Sequence, residues 1–381
     1  MRNIDLAIVG AGFAGLTCAE AAAARGLDTV ILERKKDPAS AIHTTGILVK
    51  EIADLWDFPR DLTRKLKGVR LYGPSLDSLD LHSPGYYFLA TDTPTLMQWM
   101  SDRAVNAGAE IRFKSSFKGL QQETDHIQLP DQNLSSQFLV AADGARSRVA
   151  KHMELGLNQK FLYGIEAEYI NIDGVDPEHM HVFLDSEIAP GYIAWLVPGV
   201  QQGSESSAHF QLGLASNNAA CLDLNKLVQQ LQKIFDFKHA KLTSRRGGLI
   251  PCGGPVHPFA KNNVMLLGDA AGMVSPVTAG GIHPAMQLGR HAGIAISDFL
   301  FDQGPAPHKV IKQQRSNYRI KKLLRNLYDR YPLSNKNLDK MLESRIFRSV
   351  AQTIFFHNRG LFSARAWSEI LHLRKPERSR A

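Results

Sequence analysis

Apolar runs that stop at glycine alternate with stretches of helical and of strand-like spacing, and these changes of period divide the chain. Residues 5–10, DLAIVG, read as a short buried strand, residues 12–25 as an alanine-rich helix, and residues 29–33, TVILE, as a second strand. Together they make a compact strand-helix-strand opening. In HTTGILVKEIADLWDF, residues Ile47, Leu48, Ile52, Leu55 and Trp56 fall at helical spacing. Between Val69 and Ala90 the period shortens to alternation (Val69, Leu71; Leu79, Leu81; Tyr87, Leu89) broken by Gly and Pro, which predicts antiparallel strands. Residues 93–108 return to helix, with Thr93 as N-cap, Pro94 in the first turn and Gly108 as the stop. FLVAADGARSRVA is a further buried strand running into a turn at Asp143 and Gly144, and residues 161–216 read as four more strands. NVMLLGDAAG supplies one last apolar strand, residues 284–301 a helix, and residues from His308 onward amphipathic helices. The order is α/β, β, α/β, β, α/β, helices, which predicts one nucleotide-type domain interrupted twice by an antiparallel lobe.

Composition narrows the class. A chain of 381 residues with 44% hydrophobic and 22% charged residues is globular and long enough for more than one core. Cys18, Cys221 and Cys252 are too few and too far apart for a disulfide framework or a CxxC metal site, so a reducing, cytoplasmic setting is expected, and the histidines are read as lacking HxxxH or HxH ligand spacing, so no metal is expected. Residues 6–24 are largely apolar, yet Gly10, Gly12, Gly15 and Glu20 argue against a leader or a membrane span. The net charge of +8 is concentrated: residues 305–381 hold 18 Lys/Arg against 5 Asp/Glu. In HKVIKQQRSNYRIKKLLRNLYDRY those charges alternate with Ile320, Leu323, Leu324, Leu327 and Tyr331, a pattern for either peripheral contact with an anionic membrane or a helix docked by its apolar side. The aromatics of FFHNRGLFSARAW either close a substrate chamber or dock the tail. No binding fold or stacking surface accompanies the charge, so nucleic acid is not an expected partner.

The candidate chemistry begins at IVGAGFAGL, a GxGxxG (Gly10, Gly12, Gly15) that follows a strand and opens a helix. The first glycine permits the turn, the second lets backbone approach a pyrophosphate, and the third lets the helix pack on the strand. Glu33, at the end of the second strand, is placed to accept hydrogen bonds from an adenosine ribose. This fingerprint leaves NAD and FAD open.

Two later motifs, AADGARSRVA (141–150) and LLGDAAGMVSPVTAGGI (266–282), resemble the second and third signatures of the flavoprotein group that contains p-hydroxybenzoate hydroxylase, flavin-dependent halogenases and geranylgeranyl reductases. The resemblance covers roughly residues 1–300. It implies a Rossmann-like FAD-binding domain (1–68, 91–160 and 248–302) interrupted by an antiparallel β-sheet substrate domain (69–90 and 161–247), with a basic C-terminal helical region (303–381). It further implies a non-covalent FAD held by Gly10, Gly12, Phe13, Ala14, Gly15, Glu33, Arg34, Thr45, Gly46, Asp143, Gly144, Gly268, Asp269, Pro276, Thr278, Gly280, Gly281 and Ile282. In that picture Asp269 accepts from a ribityl hydroxyl, while 270–272 open a helix whose N–H groups face the diphosphate and flavin. Asp269 is equally read as an N-cap, and Asp143 as a turn residue.

Within the group, details resemble the geranylgeranyl reductase branch. RGGLIPCGG (246–254) matches its GGxIP segment, and APGYIAWLVPG its YxWxFP segment through Trp195 and Pro198. Ile193 and Val197 stand where that segment has aromatics, and Tyr192 lies one residue early. HTTGI resembles the reductases' CGxGL loop, with His43 in place of Cys. His43 is therefore a candidate proton donor beside the flavin or a loop histidine bonded to backbone, His283 a second histidine near the flavin or a structural one, and Tyr192 and Trp195 the wall of an apolar substrate chamber or plain core. No second GxGxxG occurs, so NAD(P)H docks transiently or an external donor supplies electrons. Two activities follow: hydride transfer from reduced FAD to C=C bonds of an apolar, isoprenoid-type substrate, or monooxygenation of an aromatic or polyketide substrate through a flavin C4a-hydroperoxide.

Overall fold

The computed structural model describes residues 1–200 and 208–356. All of FFHNRGLFSARAW beyond Phe356 lies outside them. Two compact units divide the chain: residues 1–63, 91–163 and 246–325 form the first, and residues 64–90, 164–245 and 326–381 the second.

The first unit is built on five parallel strands, ordered Val264–Leu266, Leu134–Ala141, Arg2–Val9, Thr29–Leu32 and Glu110–Arg112. Leu6, Ala7, Ile8, Val30 and Ile31 are wholly buried, as strands covered on both faces require. The nucleotide-type order is thus a Rossmann-like sheet, completed by a strand that arrives some 120 residues after its neighbour. The opening helix is Phe13–Ala23 and the late helix Ile282–Leu300. They touch at backbone distance because the late helix carries Gly289 and Gly293 on the contact side. A Cβ on Gly289 would stand 2.2 Å from Thr17 Oγ1 and 2.5 Å from Ala14 O, and one on Gly293 2.4 Å from Cys18 O.

The second unit holds a seven-stranded sheet ordered Lys241–Pro251, Phe161–Ile170, His209–Ser216, Ala194–Pro198, His179–Phe183, Gly68–Tyr72 and Ser78–His82. The lobe was expected to be antiparallel, but His179–Phe183 pairs with Gly68–Tyr72 in parallel. Parallel neighbours need a long crossover, and here the chain supplies one by passing through the first unit between the two strands. Helix Leu224–Leu231, which the sequence reading passes over, packs Leu224, Leu227 and Leu231 onto Tyr72, Phe183, Leu196 and Leu212. Strand alternation places Trp195 and Val182 on the opposite face.

Two local expectations change. Asp92, not Thr93, caps helix Thr93–Asn106, its carboxylate accepting from Thr95 N–H at 3.4 Å. The helix expected from Ile47 is a strand at Ile47–Val49 and a single turn at Lys50–Ala53. Its β-branched start favours extended backbone.

Candidate active site

The glycine turn sits at the C-terminal edge of the parallel sheet. Gly10 has φ +103°, and a Cβ there would lie 2.4 Å from Ala142 O, so the turn and the loop entering Asp143 touch backbone to backbone. Gly12 caps helix Phe13–Ala23 with no side-chain hydrogen bond and has open space where a Cβ would go. The helix therefore presents free N–H groups and its partial positive charge to that space. Glu33 is buried, and its carboxylate accepts from Ala11 N–H at 2.7 Å and Lys35 N–H at 2.9 Å. It ties the turn to the second strand, a role beyond the ribose contact read from sequence. Arg34 beside it is exposed.

Asp143 is more than a turn residue: its carboxylate meets the first N–H groups of helix Arg148–His152, whose N-cap is Ser147. The Asp143 Oδ2 accepts from Arg148 N–H (2.7 Å) and Val149 N–H (3.2 Å), while its buried Oδ1 has no partner among the described residues. Asp269 stands at the head of the short turn Gly268–Ala271. It is crowded by protein yet keeps accessible surface, as a group on the floor of a recess does. Burial pushes its carboxyl up to about 6. The N-cap reading for Asp269 fails, because that turn has no side-chain cap.

Asn158, which carries no motif signal, joins the two acidic turns. Its amide donates to Ala145 O at 3.0 Å and to Asp269 O at 2.8 Å. Sequence offers no hint of it because both contacts are to backbone far along the chain. The loop before helix Ile282–Leu300 is closed by Ala279 N–H on Ser275 O (2.9 Å) and Ser275 N–H on Gly280 O (3.2 Å). This hairpin carries Pro276, Thr278 and Gly280. The point a Gly281 Cβ would occupy is 3.3 Å from Asp269 Oδ1, so the uncapped start of that helix adjoins the acid.

On the 43–46 loop, Thr91 Oγ1 donates to Gly46 O at 2.8 Å, and Thr45 lies one residue before. His43 is exposed, and its Nδ1 lies 2.8 Å from Gly247 O. A carbonyl only accepts, so Nδ1 carries the proton and Nε2 is the free ring nitrogen. His283 is largely enclosed, and burial holds its imidazole below the usual histidine range. His43 belongs to the first unit; Tyr192 and Trp195 belong to the second. The Trp195 ring lies over Gly213, and its Nε1–H donates to Glu166 Oε2 at 2.8 Å.

The residues present fit a bound dinucleotide-type group: a helix start at an open glycine, an Asp143 Oδ1 without a partner among the described residues, and Asp269 beside the start of the helix that follows the small-residue loop. The FAD binding domain family matches residues 3–316. The digeranylgeranylglycerophospholipid reductase of Methanosarcina acetivorans is 28% identical over 322 residues, covering 77% of this chain and 75% of that protein. A geranylgeranyl bacteriochlorophyll reductase-like protein from Thermoplasma acidophilum superposes with a TM-score of 0.79 at 23% identity, covering 98% of this chain and all of that one. The p-nitrophenol 4-monooxygenase of Pseudomonas putida superposes with a TM-score of 0.69 at 15% identity, over 98% of both chains. At such identities the two structures speak to fold alone. The family match spans most of the chain and the curated relative is a reductase, so the chain belongs to the FAD binding domain family and is an FAD-dependent oxidoreductase.

Proposed function

We propose that this enzyme reduces C=C bonds of an isoprenoid lipid. The reading is carried by its similarity, through 77% of the chain, to a protein named digeranylgeranylglycerophospholipid reductase. FAD, when bound, would supply the hydride chemistry.

This chain's residues do the rest. The helix start at Gly12, with Phe13, Ala14 and Gly15, holds the diphosphate, and Glu33 and Arg34 hold the adenosine end. Asp143 and Gly144 close over the cofactor's middle, and Asp269 accepts from its ribityl chain. Pro276, Thr278, Gly280, Gly281 and Ile282 border the pyrimidine edge, where the positive end of helix Ile282–Leu300 favours the anionic reduced ring. Thr45 and Gly46 would help to hold the cofactor. His43, its Nδ1 committed to Gly247 O, carries the transferable proton on Nε2 when the ring is charged and gives it to the substrate carbon opposite the hydride. Tyr192 and Trp195 wall the apolar chamber. Electrons enter from transiently docked NAD(P)H or a protein donor.

Such a substrate resides in membranes. No helix among the described residues is long and apolar enough to cross one. Helix Arg319–Arg330 nevertheless exposes Ile320, Leu323 and Leu327, with Tyr331 just beyond, among Arg319, Lys321, Lys322 and Arg330. This stripe is the peripheral contact, resting on an anionic lipid surface. Co-sedimentation with anionic vesicles should fall in Leu323→Gln/Leu327→Gln, and equal sedimentation would remove this part.

The activity is tested without oxygen. Photoreduced holoenzyme mixed anaerobically with a geranylgeranyl lipid should reoxidise and yield a saturated product, with His43→Gln slowing kcat about 100-fold. If reoxidation and product both require O2, with an oxygen atom incorporated, the enzyme is a monooxygenase and the reductase reading fails.

A further inference from the structure

A cluster in the second unit, outside the flavin motifs, uses none of the chemistry above. In the seven-stranded sheet, His82, Gly68 and His179 form one cross-strand row, and Asp80, Arg70 and His181 form the next row on the same face. Because Gly68 has no side chain, the imidazoles on either side of it meet: their ring centroids are 4.9 Å apart. The point a Gly68 Cβ would occupy is 2.6 Å from His82 Nδ1 and 2.9 Å from His179 Nε2. One ligand atom each from Asp80, His82 and His179 lies within 4.8 Å of the other two.

His179 is the informative member. It is 8% exposed, and its Nε2 is buried without a hydrogen-bond partner among the described residues. Its Nδ1 lies 2.8 Å from Asp176 Oδ2. A carboxylate accepts, so Nδ1 carries the proton and Nε2 keeps its lone pair, the orientation found in carboxylate–histidine–metal arrangements. A buried acceptor left unpaired is costly unless something occupies it. The expectation of no metal overlooks that His179-Met180-His181 is an HxH pair. His181 is not a ligand, since its Nδ1 meets Tyr72 OH at 2.9 Å and its Nε2 meets Asp176 O at 3.0 Å.

We propose that Asp80, His82 and His179 form a three-ligand site for a divalent transition metal of the zinc class, with its fourth position open to water. Two imidazoles and one carboxylate suit zinc and exclude hard cations such as Mg2+ or Ca2+, which take oxygen ligands. Arg70 grips Asp80 through Nε–Oδ1 at 2.6 Å and NH2–Oδ2 at 2.9 Å and also reaches Asp176 at 3.2 Å. That grip orients the Asp80 carboxylate and leaves lone pairs on both oxygens for a metal. Two carboxylates against one guanidinium leave the cluster a negative excess for the ion. The metal would cross-link the edge strand Ser78–His82 to His179–Phe183 over the glycine gap. Gln352 already pins that strand from helix Arg345–Phe356 through its amide on His82 O, at 2.5 Å.

The test uses tag-free, EDTA-treated holoenzyme titrated with Zn2+ in a calorimeter and melted with and without the ion. One equivalent should bind and raise the melting temperature. His82→Gln, at an exposed position that leaves the flavin site untouched, should weaken binding at least 100-fold and abolish the shift. Gly68→Ala, which keeps every ligand but fills the gap, should weaken it as well. Absence of a one-to-one event in the wild type, or equal binding in His82→Gln, would overturn the assignment. An Mg2+ response equal to that of Zn2+ would also overturn it.

Discussion

Asp269 gives a pH signature that separates its proposed role from mere placement in a loop. An aspartate of ordinary pKa 3.8 raised to about 6 resists ionisation by roughly 2 pH units, or about 3 kcal/mol. The native apoprotein holds that proton to higher pH than the unfolded chain does. The associated stability is therefore fully present below pH 3.8, declines at up to about 1.4 kcal/mol per pH unit, and is lost once pH has risen through 6. A ribityl hydroxyl donating to the carboxylate favours its ionised form, so FAD binding should expel the proton. FAD affinity should then rise with pH, up to tenfold per unit below about 6, and level off above it. Asp269→Asn cannot titrate. Urea unfolding of apo wild type and apo Asp269→Asn from pH 4 to 8 should give a stability difference that shifts by about 2.4 kcal/mol in favour of the variant as pH rises. FAD titration of the variant should lose the pH slope and bind more weakly at pH 7.5. A flat stability difference between the two proteins, or an unchanged pH slope of FAD binding in the variant, would refute the reasoning.

Other residues give sharper yes-or-no outcomes. Gly289→Leu drives a side chain into Thr17 Oγ1 and Ala14 O, and an overpacked contact of this kind costs about 1–3 kcal/mol; the melting temperature and FAD occupancy should both fall, and unchanged values would show that the two helices do not need the close approach. Trp195→Phe removes one hydrogen-bond donor to buried Glu166 and should cost about 1 kcal/mol in urea unfolding, against no change if the ring is held by packing alone. Burial pushes the Cys18 thiol up to about 12, so a thiol reagent at pH 8 should label Cys221 in the native protein and leave Cys18 unmodified until denaturant is added.

The parts of the site legible in sequence are those whose structural requirement is local. GxGxxG, Asp143-Gly144 and Gly268-Asp269 are each a turn whose backbone conformation and neighbouring helix are encoded within a dozen residues. Glu33 was legible as an acid at a strand end, but its contact with Ala11 N–H was not, since that bond spans two elements. Asn158 was hidden because its side chain is chosen by two distant carbonyls rather than by a repeating spacing. The row His82, Gly68, His179 was hidden for the same reason: it exists only once strands 97 residues apart are in register. The predicted N-cap at Thr93 was one residue off because Asp92, the stronger cap of the two, takes the N–H group of Thr95. The parallel strand in the lobe was missed because alternation reports burial of one face and carries no direction.

The late strand Val264–Leu266 and the helix that follows it have a consequence for the protein during its own synthesis. The glycine turn is made first, yet Asp269 and the late helix's start emerge only some 260 residues afterwards. At roughly 5–20 residues per second, a ribosome-bound chain would wait on the order of 13 to 50 s with an exposed half-site before the second half arrives. On the proposed site, cofactor loading waits until residues 268–282 have emerged, and a chain stalled before Gly268 should stay colourless however much FAD surrounds it.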